Sequence, residues 1–120
     1  MEGSSTVESG APCLPAPPLA AATAPQPPVA LPPDAVLTDV RELGGTRLVT
    51  GRSPGTVAEV LSHFRGVTGY VVIRDEDEGR AGELQLFGVA GDVGVTVARL
   101  TCPRGLTGFT LATPKRQPSP

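Results

Sequence analysis

Four consecutive acidic residues, from Asp75 to Glu78, are the first candidates for chemistry in this sequence. A calcium loop places oxygen ligands at alternate positions, with glycine sixth and glutamate twelfth, and the stretch DEDEGRAG lacks that pattern. In an extended chain Asp75 and Asp77 share one face and Glu76 and Glu78 the other, but no third acid converges on either pair. We interpret the row as a solvated connection between two strands, charged against edge pairing. A cation site and a docking patch for a basic partner are the alternatives.

The single histidine, His63, would have to serve any nucleophilic triad or dyad. Cys102 is the only cysteine outside the N-terminal segment, and nothing in the sequence supports its pairing with His63. Both are interpreted as ordinary boundary or buried residues. The stretch GVAGDVG is followed by a strand-like run, whereas a phosphate site needs a helix N-terminus after its glycines. We therefore predict neither enzymatic activity nor a cofactor or metal.

Proline distribution divides the chain. Nine of the 14 prolines fall between Ala11 and Pro33, a stretch without charged or aromatic residues. Such a segment forms few backbone ladders and buries too little apolar surface to offset its ordering entropy. The prediction is a disordered proline-rich arm over residues 1–33, a small α+β domain over residues 34–113 and a disordered tail over residues 114–120.

One helix is indicated in the folded segment. Thr56 and Glu59 have the spacing of a capping box, and apolar residues follow at helical spacing. This predicts a helix from Val57 to Arg65, with Gly66 as a left-handed stop.

The rest of the folded segment favours strands. Residues 36–51 suit either a helix with Asp34 as its N-cap and Gly44 as its stop, or a hairpin with a type I′ turn at Gly44-Gly45. Their β-branched content and the Gly-Gly pair favour the hairpin. Later runs rich in Val, Leu, Phe and Thr are separated by short glycine-containing links, which is typical of an antiparallel meander. The expected domain is one helix packed on an antiparallel sheet of four to six strands, in two layers.

The arm also carries candidate partner contacts. Prolines at P-x-x-P spacing can adopt the polyproline II conformation that aromatic grooves bind. They include Pro15, Pro18, Pro25 and Pro28. Basic flanking residues are missing, so a flexible spacer is the alternative.

Charge and hydropathy argue against several functional classes. The net charge is −2, and the eight arginines of residues 34–113 are mixed with ten acids. No basic stripe in the sequence suits nucleic acid, and no run of about 20 apolar residues suits a membrane span. We expect an intracellular protein, in the cytoplasm, the nucleus or both, and not a secreted one. Nine arginines against one lysine indicate a gene of high GC content.

The order hairpin, helix and further strands resembles that of ubiquitin-like β-grasp folds. The composition resembles that of accessory proteins of GC-rich DNA viruses, in which a proline-rich arm precedes a small domain. Neither resemblance implies site residues. The leading hypothesis is a non-enzymatic module that binds another protein and modulates its signalling or assembly. A viral origin would make a host regulatory protein the natural target. The alternatives are a cation-dependent enzyme that uses residues 75–78 and a structural subunit of a larger complex.

Overall fold

The structure is a computed structural model that describes residues 16–20, 26–88, 91–101 and 104–114. Its strands and helix follow in the order β1 (Val36–Leu43), β2 (Thr46–Ser53), α1 (Val57–Arg65), β3 (Tyr70–Asp77), β4 (Ala81–Gly88), β5 (Gly91–Arg99) and β6 (Thr107–Pro114). The predicted disorder of residues 1–15, 21–25 and 115–120 falls outside the described residues.

Residues 36–53 form a hairpin and not a helix. Leu43 pairs with Thr46, so Gly44 and Gly45 make a two-residue turn. Gly44 has φ 58, whereas Gly45 lies outside the positive-φ region. A type I′ turn needs positive φ at both central residues, so the predicted turn type is wrong. Positive φ at the first central residue alone is the φ pattern of a type II′ turn.

The helix α1 begins and ends where the sequence predicts. The Thr56 side chain accepts from the Glu59 amide at 3.1 Å, and Glu59 Oε1 accepts from the Thr56 amide at 2.8 Å, which completes the capping box. The predicted left-handed stop at Gly66 is wrong, because this residue has φ −106. Gly69, with φ 90, takes the left-handed conformation just before β3.

The six strands form one antiparallel sheet in the order β1-β2-β6-β5-β4-β3. The helix carries the chain from β2, inside the sheet, to β3 at its edge. From there the meander β3 to β6 returns until β6 pairs with β2. The result is a small compact domain of one helix and six strands, mostly sheet. A ubiquitin-like β-grasp sheet has a parallel central pair, so this topology differs from it.

One face of the sheet is packed against α1. Val60, Leu61 and Phe64 of the helix are almost wholly buried, and the Phe64 ring meets Phe109 of β6 edge-on with centroids 5.6 Å apart. The strands contribute alternate residues to this core, as period two requires. These are Val49, Leu84, Leu86, Val93, Val95, Val97, Phe109 and Leu111. The opposite face of the sheet has no helix over it in the described part of the chain.

Residues 26–33, here called the proline strap, lie against the helix and its neighbours. Val29 is only 5% exposed and belongs to the hydrophobic core. The His63 ring donates from Nε2 to the Ala30 carbonyl at 2.7 Å, and the Tyr70 hydroxyl donates to the Pro28 carbonyl at 3.3 Å. The packed domain therefore starts before Asp34. At the other end Pro114 is the last residue of β6 and not the first of a tail.

Candidate interaction surface

Strand β3 is one of the two edges of the sheet, and its outer backbone groups face no further strand among the described residues. Its register against β4 shifts between Val72 and Arg74, so Ile73 occupies a bulge. Bulges and charged residues on edge strands oppose indiscriminate pairing with other chains. A partner that adds to β3 must therefore complement its particular pattern.

Three large apolar side chains at this edge are exposed, and together they are called the edge patch. Val71 is 60% exposed, Ile73 57% and Phe87 53%. Val71 and Phe87 are directly opposed across the β3–β4 ladder, where neighbouring side chains touch. Scattered single apolar residues are ordinary on a protein surface, whereas large contiguous apolar patches are typical of interaction sites.

The alternation of residues in β4 predicts that Phe87 is exposed. Leu84 and Leu86 of β4 are buried under the helix, so period-two alternation places Phe87 on the opposite face. The aromatic content of the sequence does not by itself indicate this exposure. Nothing local in the sequence indicates that β3 is an edge, because that depends on the strand order.

The acidic row continues the same strand. Asp75 and Asp77 both lie in β3 on its helix side, and Glu78 begins the turn to β4. Arg65 of α1 donates to both Asp75 oxygens, at 2.7 and 3.0 Å, and to Asp77 at 3.3 Å. The expected alternation of sides is therefore confirmed for Asp75 and Asp77. The row is mostly strand, and only its last residue belongs to the connection.

Hydrogen bonds to the charged form lower the pKa of both aspartates. For Asp75 the main cause is the Arg65 side chain. For Asp77 the backbone N–H of Gly79 contributes most, followed by Arg65. Glu76, on the other side of β3, pairs with Arg74 at 2.7 Å. The described residues contain no group of three His, Cys, Asp or Glu side chains that could hold a metal ion.

The other predicted contact residues have different surroundings. Pro18 is exposed, whereas Pro28 is half-buried in the strap and its carbonyl accepts from Tyr70. Pro15 and Pro25 lie outside the described residues, as does Cys102. No contact among the described residues places Pro18 or Pro28 beside the acidic row.

Comparison with protein families, with curated proteins and with solved structures finds no match for this chain. Within the described ranges no helix is long and apolar enough to cross a membrane.

Proposed function

We propose that this protein is a non-enzymatic interaction module that binds another protein by strand addition at β3. The observation that carries the proposal is the edge patch, in which Val71 and Ile73 lie on β3, a strand whose outer edge has no neighbouring strand among the described residues. Strand addition draws affinity from backbone hydrogen bonds and specificity from alternate side chains. The partner would be a regulatory or assembly protein whose activity the module modulates inside the cell. If the gene is viral, that partner belongs to the host.

The composition of β3 defines the partner segment. The first half of the strand is apolar, with Val71 and Ile73 exposed. The second half of β3 and the turn after it carry the acidic row, whose four negative charges face two positive ones, from Arg65 and Arg74, which leaves two in excess. A complementary segment is therefore extended, with apolar residues at one end and lysine or arginine at the other.

The ion pairs at the acidic row favour this proposal over a cation-dependent enzyme. A metal at Asp75 and Asp77 would have to displace the Arg65 guanidinium, which already contacts both carboxylates. The two aspartates hold α1 to β3 at the end of the helix. We propose that Asp75 and Asp77 shape the binding edge and take no part in a reaction.

The chain offers a matched pair of substitutions to test the binding mode. Ile73→Lys and Leu43→Lys place the same charge on opposite edges of the sheet, at side chains that are 57% and 56% exposed. Both full-length variants would be compared with the wild-type protein by affinity capture from cells and mass spectrometry. We expect Ile73→Lys to lose a specific partner that Leu43→Lys retains. Thermal unfolding checks that both variants fold.

Other results would overturn the proposal. Equal capture by both variants and the wild type would exclude β3 as the binding edge. A partner lost only after Pro15→Ala and Pro18→Ala would assign binding to the arm. Self-association without any other partner would favour a structural subunit.

A further inference from the structure

Three arginines lie at one end of the sheet, where β3 and β5 end. Arg80 lies in the β3–β4 turn, Arg99 ends β5 and Arg104 lies in the connection to β6. They line one cleft of about 580 Å³, here called the arginine cleft, together with Leu100 and Thr101. The sequence does not reveal the cluster, because only the fold brings the β3–β4 turn beside the β5–β6 connection.

The side-chain partners of the arginines set this cleft apart. Among the described residues, every arginine outside the cleft has a polar partner. Arg41, Arg47, Arg65 and Arg74 form ion pairs, and Arg52 donates to the Ala16 carbonyl. Within the described ranges no carboxylate lies within ion-pair distance of a cleft arginine. Even Glu78, two residues before Arg80, forms no ion pair with it. Among the described residues, only Arg52 and the three cleft arginines have no carboxylate partner, and Arg52 already donates to a backbone carbonyl.

Backbone hydrogen bonds hold the cleft in shape without a ligand. The Arg99 amide donates to the Arg80 carbonyl at 3.1 Å, and the Leu100 amide donates to the Leu106 carbonyl at 3.0 Å. The buried Thr107 hydroxyl donates to the Gly55 carbonyl at 2.6 Å, which ties this end of the sheet to the loop before α1. A binding site whose frame is already fixed loses less entropy when its ligand arrives.

The cleft continues toward the start of the helix. Arg80 and Arg99 also line an adjoining concavity with Thr56, Val57 and Ala58, the cap and first two residues of α1. The N-terminal end of a helix favours negative charge. It adds to a field that the three arginines already make positive, although the capping box occupies part of it.

We propose that the arginine cleft binds a compact oxyanion with two or more negative charges, a phosphate or sulfate group, either free or as a monoester. Guanidinium groups suit such ligands because their planar N–H donors match tetrahedral oxyanions in pairs. The charge of three arginines that line one cleft exceeds what one carboxylate could neutralise. The site is separate from the edge patch, so it stands or falls independently of strand addition.

Titration calorimetry of the full-length protein at low ionic strength tests the site. The probes are inorganic phosphate and a neutral-flanked phosphoserine peptide with its unphosphorylated form. Arg99→Gln and Arg104→Gln remove two cleft charges, and Arg41→Gln is the matched control at an exposed, ion-paired arginine. We expect saturable binding of phosphate that the double variant weakens by roughly tenfold or more, equivalent to ~1.4 kcal/mol. The control should keep wild-type affinity, and added salt should weaken binding.

The relative affinities of the probes distinguish the possible ligands. Tighter binding of the phosphopeptide than of phosphate would assign the site to a monoester on a larger molecule, and equal binding would assign it to the free anion. Amide shifts on phosphate addition should fall at Arg80, Arg99 and residues 56–58, which also tests the site if the double variant proves unstable. Absence of phosphate binding, or affinity unchanged by the double variant, would overturn the proposal.

Discussion

Val29→Ala is the sharpest test of the proline strap, because the composition of this segment predicts disorder while the structure buries the side chain. The substitution removes two methyl groups from a site that is 5% exposed. At ~0.8 kcal/mol for each buried carbon group, the transfer term alone is about 1.6 kcal/mol. The cavity left among the neighbouring core residues adds to it, so we expect a loss of about 2 kcal/mol in the free energy of unfolding.

Thermal unfolding followed by far-ultraviolet circular dichroism measures this loss, since the chain has no tryptophan. For a domain of this size a loss of about 2 kcal/mol lowers Tm by roughly 8–16 °C. Val71→Ala is the matched control, because the same two methyl groups are removed from a side chain that is 60% exposed. Val71→Ala removes a cross-strand contact with Phe87 but leaves no buried cavity, so we expect it to cost less than about 1 kcal/mol in the free energy of unfolding. Equal Tm values for the two variants would show that the strap does not pack.

Three further predictions concern the ion pair, the core and metal ions. The pKa of Asp75 is lowered by Arg65, so its stabilisation is present above the ordinary value of 3.8 and is lost as the pH falls through the lowered pKa. Asp75→Asn should therefore lower the urea midpoint at neutral pH and make little difference in strong acid; an equal effect at both would contradict this. Gly51→Ala brings a Cβ within 2.6 Å of the Phe109 ring and should cost about 1–3 kcal/mol. Gly45→Ala meets open space and should have little effect, so similar urea midpoints for the two variants would refute the packing argument. Magnesium, manganese or calcium should leave Tm unchanged, and a concentration-dependent rise would revive a cation site.

Short sequence patterns predict much of the fold. The capping box at Thr56 and Glu59 defines the start of α1, and period-two alternation identifies the core residues of β4 and β5. The β-branched residues and the Gly44-Gly45 pair favour the hairpin. Its turn type depends on the φ of one glycine, which the dipeptide alone does not determine.

The parts that escaped prediction depend on contacts between distant residues. Composition predicts an unfolded proline strap because its own apolar content is low, yet Val29 packs in a core supplied by the rest of the chain. In the same way, the sequence scatters three arginines among acids, and only the folded sheet places them at one cleft. They are Arg80, Arg99 and Arg104. The edge position of β3 follows from the strand order, because β6 and not β3 pairs with β2.

Hydrogen exchange of the backbone amides tests strand addition most directly. The full-length protein would be measured alone and in complex with the partner that it captures. We expect slower exchange in the complex at the amides of β3, residues 70–77, with β1 at the opposite edge unchanged. Protection confined to β1 or to the proline strap, with β3 exchanging as in the free protein, would refute strand addition at β3.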